Sequence, residues 1–466
     1  MKRKTAGFDF SLLPVIFALA WPTMLEQTMQ TAVQYIDTAM VGSLGVEATA
    51  AVGATTTINW LIGSTVSAFG IGFLPFIAQA CGAGERERAV DAATQALLVA
   101  FAAGTFFTVA ALGLSKYIPA WMQVDKDVQE LASRYFFILY LPMIPRAFSI
   151  ILGTVLRAAG DTKTPMRVGI MVNVVNVVLN LLLIYPTRTV AVGSLQLPLP
   201  GAGLGVAGAA WASAVAYAAG GVWTQIAVWR HDSISPKGKT IRINKNIMAP
   251  CLKVALPNML QRFCTSFGYV VFAGMINSLG EASTAAHTIA NTVESAFYIP
   301  AYGMMTASAT LTGNCIGAGD EERRKSLARM IMALELAMMT VSGGLLFAFA
   351  GPLTGIFTSS EQVAALSTRV LRMVALSEPF YGVSIVTEGM LQGAGETRRP
   401  FIFNVGSMWG VRILGTLICV VYLGMGLASA WACMIAGNIT LMVLFVACYK
   451  VGRWNPLTRQ GSEYKT

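Results

Sequence analysis

The chain is 466 residues long, with 55% of them hydrophobic and only 12% charged. A soluble protein carries about 25% charged residues to solvate its surface, so this composition excludes a water-soluble domain. The formal net charge of +10 is scattered over many short segments instead of forming one basic stripe, which argues against a nucleic-acid partner and leaves membrane topology as its explanation.

A helix that spans a bilayer needs about 20 mostly apolar residues. In chain order the runs that qualify are 12–38, 49–80, 89–114, 129–156, 166–186, 203–229, 250–278, 284–312, 328–350, 362–391, 401–423 and 426–449. They predict twelve transmembrane helices. The first run follows Met1-Lys2-Arg3-Lys4, but it is too long for a signal-peptide core and contains Glu26 and Asp37, so it reads as a retained first helix. Residues 187–200, between the fifth and sixth runs, read as an outer loop. The basic stretch 230–245, with Pro236 and Gly238, reads as a linker, and Glu378-Pro379 implies a break in the tenth run.

Basic residues set the orientation. With a cytoplasmic N-terminus, the inner ends and loops carry 22 of the Lys and Arg residues, among them Lys2, Arg3, Lys4, Arg157, Arg453, Arg459 and Lys465, against Lys116, Lys126 and Arg188 outside. That bias fits the positive-inside rule and predicts a multi-pass protein of a bacterial cytoplasmic (inner) membrane with both termini inside. The seven cysteines contain no CxxC pair and lie in helices or near the cytoplasmic side, so neither a disulfide nor a metal site is expected, and no cofactor.

Comparison of the chain with itself reveals a repeat. Leu156–Pro165 matches Leu391–Pro400, Cys81–Glu85 matches Ile316–Asp320, and Pro22 matches Pro257, all at an offset of 235; Trp211 matches Trp431 at 220. Two six-helix repeats of the same orientation follow, related by an axis along the membrane normal. The expected units are a first lobe 1–229, a cytoplasmic basic linker 230–249, a second lobe 250–449 and a cytoplasmic tail 450–466. The glycines of Gly82-Ala83-Gly84 and Gly317-Ala318-Gly319, like Gly160 and Gly395, read as helix caps and loops, because no Lys-Ser/Thr follows as a phosphate loop requires.

An ionisable residue within a span costs about 2.5–3.5 kcal/mol on insertion scales and marks a functional position. Glu26, Gln30, Gln34 and Asp37 lie on one stripe of the first helix, at 0°, about 40°, about 80° and about 20° around its axis. This stripe should face a watery cavity. Pro22 can hinge the helix. The repeat places Phe272 opposite Asp37, so the shared fold does not demand this carboxylate, and Asp37 is expected to couple transport to an ion. Asn176 and Asn180, one turn apart in the fifth helix, can offer it their amides; structural hydrogen bonding between helices is an equal alternative for them. Glu26, Gln30, Gln34, Glu294 and Glu378 are the expected substrate-cavity residues. Glu388 also lies in the tenth run, His287 reads as a packing donor, and Arg146, Arg262 and Arg412 have no assignable partners.

With these features together, the chain resembles the multidrug and toxic compound extrusion (MATE) family. The residues that carry the resemblance are Tyr35–Gly42, Leu156–Pro165, Ala285-Ala286-His287, Val293-Glu294-Ser295 and Gly317-Ala318-Gly319. It implies an all-α integral membrane fold, two six-helix lobes in a V and a central cavity with rocker-type alternating access. The family aspartate matches Asp37. In the DNA-damage-inducible branch an asparagine and an aspartate of the fifth helix help bind the ion; their positions match Asn176 and Asn180, so the second acid is an amide here. The acids that serve cation sites in the norfloxacin-resistance branch fall on Thr265 and Tyr381 here, so the chain leans to the former branch.

The implied function is cation-coupled antiport, with proton favoured over sodium, exporting an organic cation, amphiphilic drug or toxic metabolite from a cavity bounded by membrane lipid. Protonation of Asp37 from outside would let the first helix bend at Pro22 and expel the substrate. A lipid-linked oligosaccharide flippase is the alternative, though it would line its cavity with several arginines for diphosphate. A membrane enzyme would need an acid/base or metal cluster that two histidines and no H-x-x-x-H or D-x-x-D pattern fail to supply.

Overall fold

The structure, a computed structural model, describes residues 9–122, 124–192, 195–240, 242–452 and 454–457. Of the basic residues used for orientation, Lys2, Arg3, Lys4, Arg453, Arg459 and Lys465 lie outside the described residues, as does most of the proposed tail.

The first repeat comprises α1 (Leu13–Gly42), α2 (Val46–Ala83), α3 (Arg86–Leu114), α4 in two segments (Lys126–Tyr140 and Met143–Ala158), α5 (Lys163–Leu183) and α6 (Val206–Arg230). The second comprises α7 (Lys245–Asn277), α8 in two segments (Glu281–Phe297 and Ile299–Gly317), α9 (Glu321–Phe357), α10 in two segments (Glu361–Ala375 and Glu378–Gly393), α11 (Arg398–Tyr422) and α12 (Leu427–Val451). Both segments of α4 recur in α10 at the offset of 235, and both helices bend by 55°. Each break sits beside a proline, Pro142 or Pro379, whose missing N–H and ring disfavour a continuous helix.

The structure corrects the sequence reading at three places. The fourth and eighth runs, read as continuous, break at Leu141-Pro142 and at Tyr298, just before Pro300. The loop 187–200 is mostly paired backbone: β1 (Pro186–Val192) runs antiparallel to β2 (Leu195–Ala202), so among the described residues the fold is all-α except for one hairpin. Among the described residues nine helices, plus α4 and α10 each counted as one span, are long and apolar enough to cross a membrane. The twelfth, α8, is too polar by that measure. Its second segment is buried inside the protein, with Ser308 and Thr310 fully covered, so its surface has no need to match lipid.

That segment packs on α1, α2, α9 and α10 and forms the seam between the lobes. A Cβ on Gly82 would collide with the Asn314 carbonyl, and one on Gly317 with that of Gln79. These two repeat-related glycines therefore serve close backbone packing, as small residues do between membrane helices, and are not caps. The cap reading holds for Gly84, Gly160, Gly319 and Gly395, all with φ between 68° and 89°. Gln79 Nε2 donates to the Gly393 carbonyl (3.2 Å) across the same seam, and Thr310 Oγ1 to that of Arg157 (3.0 Å).

The linker is clasped to α3. Gln95 Nε2 donates to the Arg242 carbonyl (2.8 Å), its Oε1 accepts from Asn244 N (3.0 Å), and Lys239 meets Asp91 at 3.1 Å. That carboxylate holds the Lys239 ammonium above the usual lysine range by its hydrogen bond. At the start of α9, Arg324 is buried, donates twice to Glu321 (2.7 Å each) and to the Tyr449 hydroxyl (2.6 Å), and fastens α9 to the end of α12.

Candidate functional site

Asp37 sits one turn before the end of α1, and α5 brings Asn176 and Asn180 to the same height on its facing side. Asn180 Nδ2 donates to Asp37 Oδ1 at 2.6 Å. The Asn176 amide, turned so that its oxygen takes the Ser213 hydroxyl of α6 (3.0 Å), points its nitrogen at both Asp37 oxygens, at 2.8 and 3.1 Å. Both asparagines are buried, and Asn180 Oδ1 has no hydrogen-bond partner among the described residues. The i, i+4 spacing in α5 sets this geometry, because two residues one turn apart share a helix face. No basic side chain lies within 4 Å of Asp37 among the described residues. The result is a half-buried carboxylate held by neutral donors.

The rest of the α1 stripe divides. Gln30 and Gln34 are exposed. Glu26 is instead engaged by Arg157, whose Nη2 reaches both carboxylate oxygens at 2.7 and 2.8 Å, with each side chain less than a fifth exposed. Arg157, counted above among the free charges that set topology, is thus a partner of Glu26 inside the first lobe. Pro22 is buried, and α1 runs through it without interruption.

The second lobe holds a different polar set. Glu294 and Glu378 are 6% and 1% exposed, enclosed between helices and not open to a cavity. Both Glu378 oxygens lack hydrogen bonds among the described residues, as do both oxygens of Glu335 in α9, which is fully buried against Gly382. Sequence reasoning passed over Glu335. The signal was present: it is a lone acid within the run 328–350, found by the same rule that singled out Glu294. Glu388 is ringed by amides, with Gln261 and Gln392 donating to Oε1 (2.9 and 3.1 Å) and Asn404 to Oε2 (3.1 Å).

The three arginines without assignable partners in the sequence pair with amides and rings. Arg146 donates to Asn59 (2.8 Å) and lies 4.5 Å over Tyr217; Arg262 donates to Asn258 (3.1 Å); Arg412 lies 4.2 Å over Phe272 and 4.8 Å over Tyr269. His287 packs edge-on between Phe272 and Trp431, so the packing half of its reading as a packing donor is seen; its Nδ1 has no hydrogen-bond partner among the described residues.

Two apolar helical lobes, a small-residue seam between them and an acid held by amides in the first lobe mark a multi-pass membrane protein with a polar site among its helices. The MatE family pattern matches residues 22–182 and 257–418, one block in each repeat, and the chain belongs to this family of multidrug efflux transporters; it is not an enzyme. The chain is 28% identical to the probable multidrug resistance protein NorM of Thermotoga maritima over 449 residues, covering 96% of this chain and 94% of the relative. It is 24% identical to the probable multidrug resistance protein YpnP of Bacillus subtilis, covering 97% and 98%. In structure it is similar to a MATE transporter crystallised in a bent conformation, with a TM-score of 0.86 at 22% identity over 96% of both chains.

Proposed function

We propose that this chain is an antiporter that exports organic cations, amphiphilic drugs or toxic metabolites by alternating access, with proton entry at Asp37 as the driving step. One observation carries the reading: Asp37 is held by the Asn180 amide at 2.6 Å and has no basic side chain within 4 Å among the described residues. Neutral donors orient a carboxylate without neutralising it, so an incoming proton supplies the missing charge. Exchange of one proton for one monovalent cation moves no net charge, so the driving force is the pH difference, about 1.36 kcal/mol per unit, or roughly a tenfold substrate gradient for each pH unit. Protonation weakens the hold of the amides and frees α1 to bend at Pro22. Gln30 and Gln34 supply polar contacts to the substrate. The Asp37–Asn176–Asn180 set supports kinship with the DNA-damage-inducible branch, although relatives named NorM are prominent.

A second reading, sodium coupling, draws on the Asn180 Oδ1 atom. A buried carbonyl oxygen with no donor, next to a carboxylate, is an oxygen-ligand pair for a hard cation. The test is efflux of a fluorescent organic cation from liposomes of known orientation under separate pH and sodium gradients. Flux driven by pH and lost in Asp37→Asn supports proton antiport; flux that requires sodium moves the coupling ion; no cation flux under either gradient turns the reading to a lipid-linked oligosaccharide flippase.

A further inference from the structure

Cys419 and Cys433 bring their sulfurs to 3.9 Å across α11 and α12, the one thiol–thiol contact among the described residues. Cys419 lies in the last wide, π-helical turn of α11, Leu417–Tyr422, and Cys433 in the second turn of α12. Only residues 423–426 join these helices, so the pair sits near the end of the second lobe opposite the basic linker. Both cysteines are partly accessible, whereas Cys251, Cys315 and Cys448 are buried. Gly415 makes the room: a Cβ there would stand 3.1 Å from Cys433 Sγ.

The repeat gives the position its meaning. Gly415 is the counterpart of Asn180, and Cys433 that of Ser213, at the offsets of 235 and 220 read from the sequence. Where the first lobe builds its Asp37 network, the second lobe holds two thiols. Seven residues before Cys419, the wide turns Gly406–Ile413 carry Arg412. Such turns are strained departures from α-geometry that recur at functional sites, and a covalent tie beside them would fix the helix in one register.

We propose that Cys419 and Cys433 form a redox-switchable staple, which closes to a disulfide and fastens α11 to α12. A disulfide bond is about 2.05 Å long, so closure asks each sulfur to move roughly 1 Å, within reach of a side-chain rotation. The oxidant is an external small-molecule or protein disulfide. One cysteine thiolate attacks it, forming a mixed disulfide and releasing one reduced thiol; the second cysteine then attacks the mixed disulfide and releases the other. Two cysteine thiols are oxidised to one disulfide, the external disulfide is reduced to two thiols, and the two cysteine protons end on those products. The expected consequence is a transporter slowed while stapled and restored by reduction; this part alone rests on the antiport reading.

The test uses the full-length protein in liposomes, treated with oxidised glutathione, then denatured and alkylated with N-ethylmaleimide for mass analysis. Wild type should lose two of its seven alkylatable cysteines and yield a peptide cross-linked between positions 419 and 433, while Cys433→Ser should yield no such peptide. Dye efflux should fall on oxidation and recover with dithiothreitol in wild type, and stay constant in Cys433→Ser. Seven alkylated cysteines after oxidation, or glutathione adducts at single thiols without the cross-link, would overturn the staple. A cross-link that leaves efflux unchanged would overturn its effect on α11. The thiol count needs no transport, so its outcome stands apart from the identity of substrate or ion.

Discussion

Asp37 and Phe272 occupy the same point of the two repeats, and while an amide at 2.6 Å holds the first, the Arg412 guanidinium lies 4.2 Å over the second. At this point the first lobe presents a carboxylate with no basic side chain within 4 Å among the described residues, and the second presents a ring covered by the Arg412 guanidinium.

Asp37→Asn keeps the shape of the network and removes the titratable charge. Efflux driven by a pH gradient is expected to disappear, with the detergent-solubilised protein melting within a few degrees of wild type. Asn180→Ala removes a hydrogen bond to a charged group, worth about 1.5–3 kcal/mol, and should lower thermal stability while leaving residual efflux. Wild-type efflux by Asp37→Asn would sink the coupling role.

Glu26 and Arg157 form a mostly buried, doubly bonded pair. Removing one partner of such a pair leaves the other uncompensated and costs about 3 kcal/mol. Glu26→Gln and Arg157→Gln should each destabilise by roughly that amount, and the double variant by clearly less than their sum. Additive losses in a thermal or denaturant series would show that the two groups do not act as a pair.

Gly317→Leu drives a branched side chain into the Gln79 carbonyl at the seam between lobes. Overpacking of this kind costs about 1–3 kcal/mol, and here it also wedges α2 from α8. Efflux should be abolished, and a cysteine probe placed at Ala78 should become more reactive to a water-soluble maleimide than in the wild-type background. Unchanged reactivity would mean that the seam closes without this contact.

Arg412→Gln removes a cation stacked on Phe272 and Tyr269. A desolvated cation–π contact is worth about 2 kcal/mol, so this loss should appear in the melting temperature. Arg412→Lys, which keeps the charge but not the planar fork, should fall between the two. Equal melting temperatures for all three proteins would assign the stacking no energetic role.

Much of the candidate site was legible beforehand because its rule is strong: acids and amides inside long apolar runs are rare enough to stand out. Asp37, Asn176 and Asn180 were found by that rule together with helical spacing, and the structure joins them. Glu335 obeyed the same rule and was overlooked. Glu294 and Glu378 were seen but expected at a cavity, and their enclosure depends on how α8, α9 and α10 close around them. The partners of the arginines were not legible at all, because pairing between helices is set by packing angle and depth, which no local pattern encodes.

By itself, the sequence determined that the chain lives in a membrane, that it crosses about twelve times, and that one half repeats the other. Composition, run length and a fixed offset are additive along the chain and survive without coordinates. Only the tertiary structure decided that Gly82 and Gly317 are contact points and not caps, that Arg157 belongs to Glu26, that Arg412 covers Phe272, and that two of seven cysteines meet. Each of these joins residues far apart in the chain, or in the last case on separate helices, and depends on a few ångströms of approach that only the packed helices fix.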